Sequence, residues 1–318
     1  MVPANEVSEN SISFWKISLK LLLIVKTKIQ LFLGMSAFSS KLAPLKPKPE
    51  MPDYTISVEK MFKAKFGPKT PKLLISLGRK LLHEEWLNDF FRKGYTGVEF
   101  AEQTLKYLNV TINVEGLENL KKDGTIYTIS GNHALGGIDA ITMVAVFGRY
   151  FDGNIKCMVN DFLMNLHQLD GFMIAVNKVS HVQARELARE TDEIFSSDSQ
   201  IFMFPAGKVS RRIKGKIQDD VWTKTFLTKS VKFHRDIVPM HFYGRNTWRF
   251  YFVDWIGKVT GINKKFPLAM ALLVDELYRA QGNTYKLVIG EPIPWSHFDN
   301  SRRPAEWAQW VREKVYEL

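Results

Sequence analysis

Short apolar runs, too brief for helices and interleaved with stretches of helical period, restrict this chain more than any other feature. The runs at residues 125–129, 155–159, 172–176, 200–204 and 236–242 are bounded by turn residues and read as buried strands. Between them, residues 140–147 and 182–195 carry helical patterns, with a shorter helix leading to His167. This alternation predicts an α/β fold with a mainly parallel central sheet flanked by helices. Upstream, Leu73, Leu74, Leu77 and Leu81 recur at helical spacing before Gly94, which predicts one helix over residues 71–92. Residues 98–107 repeat the pattern, and residues 110–114 alternate as a half-exposed strand. A strand at 285–289 and a helix over 304–318 close the chain. Pro239 has no N–H for a ladder, so the 236–242 run is expected at a sheet edge or a bulge.

Directly after the first of these runs comes Ser130-Gly131-Asn132-His133-Ala134-Leu135-Gly136-Gly137-Ile138-Asp139. The histidine falls in a loop at the carboxyl end of a strand, where α/β sheets bind ligands, and the aspartate falls where the next helix begins. Imidazole accepts a proton near neutral pH. A carboxylate on its far nitrogen sets the tautomer and stabilises the imidazolium. Gly136 and Gly137 permit the tight path that closes this pair, and Asn132 can hold the loop by bonding to backbone. A second loop, Pro205-Ala206-Gly207-Lys208-Val209-Ser210-Arg211-Arg212, follows the 200–204 run. Lys208, Arg211 and Arg212 are candidates for binding an anionic group. A solvated basic loop is the alternative. His241 is expected to be a hydrogen-bonded structural histidine, Trp222, Trp248 and Trp255 core or interface anchors, and Asp219-Asp220 a helix cap.

The chain carries one cysteine, Cys157, which excludes an internal disulfide and is expected to be packing. No Cys/His spacing resembles a metal site, so no metal is expected. A formal charge of +11 favours a polyanionic partner, such as an anionic membrane surface. No nucleic-acid motif is present, so nucleic acid is not expected. Residues 12–38 are apolar but interrupted by Lys16, Lys20, Lys26 and Lys28, and fall short of the ~18–20 uninterrupted residues of a spanning helix. As a helix they gather Phe14, Leu21, Leu22, Val25, Ile29 and Phe32 on one side. The pattern fits a helix lying in a membrane interface, or one packed on the protein's own core. Prolines at 44, 47, 49 and 52 make a linker, dividing a membrane-associating arm (1–52) from a catalytic domain (53–318).

Three blocks in order, Asn132-His133-x5-Asp139, Phe204-Pro205-Ala206-Gly207 and Ile237-Val238-Pro239, resemble the glycerophosphate/lysophospholipid acyltransferase family over residues 95–300. The resemblance implies that His133 and Asp139 are catalytic. The commonest family pattern has four residues between His and Asp, glutamate where Ala206 stands, and often an arginine where the 172–176 run ends in Asn177-Lys178. These departures count against a glycerol-phosphate acceptor. Asn-His-x-Leu-Gly-Gly-x-Asp with Phe-Pro-Ala-Gly-x-Val-Ser-Arg resembles a bacterial branch of hemolysin-like, amino-acid-lipid O-acyltransferases, although Lys208 stands where that branch often has glutamate. That implies an acyl-carrier-protein or coenzyme A thioester as co-substrate and no bound cofactor. It also implies a lyso-ornithine or lyso-glycine lipid as acceptor, and a peripheral or monotopic place on the cytoplasmic face of the inner membrane. The expected substrate contacts are Asn132, Gly136, Gly137, Pro205, Gly207, Lys208, Ser210, Arg211 and Arg212, with backbone N–H groups of the Gly136–Gly137 turn or the next helix facing the oxyanion. Rival readings are a 1-acylglycerol-3-phosphate acyltransferase, a serine lipid hydrolase and a non-catalytic basic membrane- or RNA-binding protein. The lack of a Gly-x-Ser-x-Gly elbow weighs against the hydrolase.

Overall fold

The computed structural model describes residues 54–159, 166–175, 181–264 and 268–318. The expected arm over residues 1–52 lies outside them, as do Asn177, Lys178 and residues 160–165 of the short helix before His167. Helices α1 (Val58–Phe66), α2 (Lys72–Leu81), α3 (Glu84–Phe91) and α4 (Gly97–Tyr107) precede β1 (Thr111–Glu115) and β2 (Tyr127–Gly131). Next come α5 (Ile138–Tyr150), β3 (Ile155–Val159), β4 (Met173–Ala175), α6 (His181–Phe195) and β5 (Gln200–Met203). The chain continues through β6 (Arg211–Ile213), β7 (Lys216–Gln218), α7 (Thr225–Lys232) and β8 (Asp236–Tyr243). It ends with α8 (Trp248–Val259), α9 (Leu273–Arg279), β9 (Thr284–Ile289) and α10 (Pro304–Glu317).

Among the described residues, seven strands form the main sheet in the order β1-β9-β8-β2-β5-β3-β4. Every neighbouring pair is parallel except β8–β9. Both β2 and β5 are buried at every position, as parallel strands are when helices cover both faces. On one face Ile129, Phe202 and Val238 pack with Phe100, Val144 and Phe147. On the other, Ile201 and Ile237 pack with Phe226, Trp307 and Val311. Successive residues of β5 and β8 thus feed opposite layers, as the pleat requires.

Two expectations are decided by tertiary contacts: one fails, and the other is met in its second form, a bulge in the pairing beside Pro239. The helix expected over residues 71–92 is two helices, because His83 takes a left-handed φ of 47°. Its Nε2 meets Asp275 at 2.9 Å and its ring stacks on Tyr278 at 3.8 Å, which ties the break to α9. Pro239 lies in an interior strand rather than at an edge. On its β9 side, Ile237 exchanges backbone hydrogen bonds with Ile293, and regular pairing resumes at Met240 with Ile289. Pro239 sits between those two segments, where only its carbonyl is used, accepting from Gly290 N–H at 2.8 Å. The β6–β7 hairpin, outside the main sheet, has no counterpart among the apolar runs.

Candidate active site

Strand β2 delivers Asn132 and His133 to the carboxyl edge of the sheet. The Asn132 amide bridges to the neighbouring strand: Nδ2 donates to the Phe242 carbonyl at 3.0 Å, and Oδ1 accepts from Phe242 N–H at 2.7 Å. That pairing clamps the loop on β8 and leaves Asn132 buried. His133 Nδ1 lies 3.0 Å from Asp139 Oδ2. The His133 ring stacks on Phe204, centroids 3.9 Å apart, and borders a cavity. Among the described residues Nε2 has no hydrogen-bond partner, so the ring offers that nitrogen to whatever occupies the cavity.

Asp139 is completely buried. Burial alone would push its carboxyl up. The adjacent His133 ring and N–H groups of Leu135 and Gly136 outweigh that, and it titrates below the usual carboxylate range. An ionised acceptor is thereby held against Nδ1, which favours the tautomer that donates from Nδ1 and leaves Nε2 as the accepting nitrogen. Gly136 is required twice over: its φ is +88°, and a Cβ there would meet Val209 at 2.7 Å. Because the Leu135 and Gly136 N–H groups serve Asp139, the oxyanion expectation narrows to Gly137 and the start of α5.

The second loop packs against the first. Ser210 N–H donates to the His133 carbonyl at 2.7 Å, and Ser210 Oγ donates to Asp219 at 2.6 Å. Asp219 also accepts from His133 N–H, at 3.2 and 3.3 Å to its two oxygens, and from Trp222 Nε1–H at 3.0 Å. It is therefore no helix cap: it lies 1% exposed between both loops. Burial pushes its carboxyl up, with the Ser210 and Trp222 bonds offsetting part of the shift. Nothing in the Asp219-Asp220 doublet distinguishes it from a capping pair, so local pattern missed this residue.

Pro205, Gly207 and Lys208 border the cavity together with Gly136 and Gly137. Gly207 and Lys208 are exposed, and Gly207 takes a φ of +64° in the turn. The cation trio separates. Arg211 is buried: Nε donates to Asp254 at 3.0 Å, Nη1 to the Val209 carbonyl at 2.7 Å, and the guanidinium lies over Phe250. Arg212 is exposed on the hairpin and does not border the cavity. Asn132, Ser210 and Arg211, expected to meet substrate, direct their polar groups within the protein instead. Of the three cations, Lys208 alone is both exposed and on the cavity wall; Arg211 borders the cavity too, with its guanidinium paired inside the protein.

The cavity measures about 1500 Å³, above the ~300–1,000 Å³ usual for small-molecule pockets. Trp86, Phe90 and Tyr107 from α3 and α4, Val144 from α5, and Phe202 and Met203 from β5 make its walls largely apolar. The apolar stretch of this chamber suits an alkyl chain, with His133 among the polar groups on its wall. Cys157 also borders it, but burial pushes the thiol up to about 12, so it is no nucleophile at neutral pH. Among the described residues no three His, Cys, Asp or Glu side chains gather as a metal site would need.

A sheet-edge His–Asp pair beside a large apolar chamber is the equipment of an acyl-transfer enzyme. Residues 63–318 match the acyltransferase family, and the chain belongs to it: it is an acyltransferase of lipid biosynthesis. Its relatives include the lyso-glycine lipid O-acyltransferase of Phocaeicola vulgatus, 42% identical over 270 residues, which covers 83% of this chain and 95% of the relative. The enzyme of the same name from Bacteroides thetaiotaomicron is 41% identical over 271 residues, covering 83% and 98%. A crystal structure of the 1-acyl-sn-glycerophosphate (LPA) acyltransferase PlsC from Thermotoga maritima aligns with a TM-score of 0.43 at 18% identity, over 69% of this chain and 77% of that one.

Proposed function

We propose that this enzyme esterifies the free hydroxyl of a lyso-amino-acid lipid, with lyso-glycine lipid as the first candidate, using a fatty acyl thioester of acyl carrier protein or coenzyme A. The acceptor class is supported by relatives 42% and 41% identical that carry that name. The observation that carries the mechanism is the His133–Asp139 pair at 3.0 Å on the wall of an apolar cavity. His133 Nε2 takes the proton from the acceptor hydroxyl as its oxygen attacks the thioester carbon. The tetrahedral oxyanion collapses, the C–S bond breaks, and the imidazolium returns its proton to the departing thiolate. An ester and a free thiol result. Asp139 orients the ring and stabilises its cation throughout. General-base help of this kind contributes ~10²–10⁴-fold. The Gly137 N–H and the N-terminus of α5 would receive the oxyanion, where one good donor contributes ~10²–10³-fold.

Lys208 is the residue we assign to an anionic group, either the glycine carboxylate of the acceptor or a phosphate of the donor. The arm over residues 12–38 would hold the enzyme on the cytoplasmic face of the inner membrane. Purified enzyme with each thioester and a panel of lyso-glycine, lyso-ornithine and lysophosphatidate acceptors, read by lipid mass spectrometry, tests the substrate. His133→Ala tests the chemistry: the expected result is a folded protein with turnover reduced at least ~10²-fold. Normal turnover by a folded variant would refute the base.

A further inference from the structure

Helix α8 carries a stripe that the fold leaves unused. Trp248, Phe252, Trp255 and Val259 recur at helical spacing and are 72%, 44%, 56% and 67% exposed. Their rings touch one another: Trp248–Phe252 and Phe252–Trp255 centroids are each 5.9 Å apart. Four large apolar side chains on one solvent-facing stripe are not scattered surface residues, and contiguous patches of this kind mark interaction sites.

Charge selects the occupant. The one carboxylate of α8, Asp254, points inward and is buried; Arg249 and Lys258 flank the stripe, paired on their inner sides with Asp275 and Asp254, and Arg245 is exposed just before it. Residues 12–38 of this chain contain Lys16, Lys20, Lys26 and Lys28 and no acidic residue, so covering the stripe with that arm would set cation on cation. A second copy of a chain of charge +11 meets the same repulsion. Tryptophan and phenylalanine bordered by cations fit the headgroup–acyl boundary of a bilayer. The same helix also borders the cavity, through Asp254 on its inner side and Lys258 at the edge.

We infer that the α8 stripe Trp248–Phe252–Trp255–Val259 is a membrane-docking surface of the catalytic domain itself, separate from the N-terminal arm, and that it seats the cavity against the bilayer from which lipid substrates come. This rests on the lipid-acylation reading for its purpose, but lipid contact can be measured without turnover.

The test uses the full chain with Phe252→Cys carrying an NBD label. The parent, whose single Cys157 is buried with its thiol pushed up to about 12, sets the labelling background. On adding phosphatidylcholine–phosphatidylglycerol vesicles, NBD emission at position 252 is expected to shift to the blue and to be quenched by brominated acyl chains. A label at the exposed Glu313→Cys on α10 is expected not to respond. Trp248→Ser/Trp255→Ser is expected to weaken vesicle co-sedimentation about tenfold, with an unchanged thermal transition because both side chains are exposed. The inference is overturned if label 252 ignores vesicles that the protein binds, if both labels respond alike, if the parent binds no vesicles, or if label 252 is blue-shifted before lipid is added. The last result would mean that protein covers the stripe. Loss of acyl transfer with quenching intact would instead count against the proposed function.

Discussion

Removal of the Asp219 carboxylate tests whether one buried acid joins the two loops of the site. Three donors converge on it: His133 N–H, Ser210 Oγ–H and Trp222 Nε1–H. In Asp219→Ala the Ser210 hydroxyl has a second neighbour in Tyr316, so two donors lose their acceptor. A buried donor left unpaired costs ~1–3 kcal/mol, or about 4 kcal/mol for the two. Removing a buried carboxylate whose charged form burial disfavours offsets part of that, leaving a net loss of about 3 kcal/mol. Asp219→Asn keeps one oxygen, and rotation of the Ser210 hydroxyl can accommodate the new N–H₂, so its cost is about 1 kcal/mol. Urea unfolding at pH 7 reads both, from the shift in midpoint at constant slope. Turnover of the alanine variant should also fall, because the His133 backbone loses its anchor. The reasoning is refuted if Asp219→Ala loses less than about 0.5 kcal/mol and keeps turnover within about twofold. Equal damage from Asn and Ala would refute the hydrogen-bond accounting in favour of a requirement for charge.

Arg211→Ala should act on stability rather than on substrate use. Breaking a buried pair costs ~3–5 kcal/mol, but Lys258, 2.7 Å from Asp254, stays to neutralise it, so about 2–3 kcal/mol is expected. Calorimetry with steady-state kinetics checks this; a stable variant with a raised KM would place Arg211 against substrate. His241 should make stability depend on acid. Burial lowers its pKa to about 4 from 6.5, the Val315 backbone offsetting part of the shift, and its Nδ1 has no partner. The unfolded chain therefore takes up a proton near pH 6.5 that the folded chain refuses until about pH 4. The stability in question is present above pH 6.5 and is lost as pH falls toward 4. Allowing for partial exposure, the loss by pH 5 is about 1 kcal/mol. Unfolding free energies at pH 7 and 5 should differ less for His241→Phe than for the parent by that amount; equal differences would disprove the assignment.

Local pattern was enough for the strands that feed both core layers. Apolar runs at 125–129, 155–159 and 200–204 sit within two residues of β2, β3 and β5, because a strand buried on both faces must be continuously apolar. The His133–Asp139 pairing was legible for a related reason: both residues belong to one loop-to-helix turn, and Gly136 in that turn has the positive φ needed to close it. Contacts between residues distant in sequence were not legible. The break at His83 comes from Asp275 and Tyr278, and the place of Pro239 comes from Gly290 and Ile293. Arg211 reads as a cation free for ligand until α8 brings Asp254 to it, and Asp219 reads as a cap until Ser210, Trp222 and His133 surround it. Burial and pairing of a charge depend on which segments the fold brings together, and spacing along the chain does not encode that. The sequence alone therefore determined the α/β class and the His133–Asp139 pairing, while only the tertiary structure decided which polar side chains hold the site together and which face the cavity.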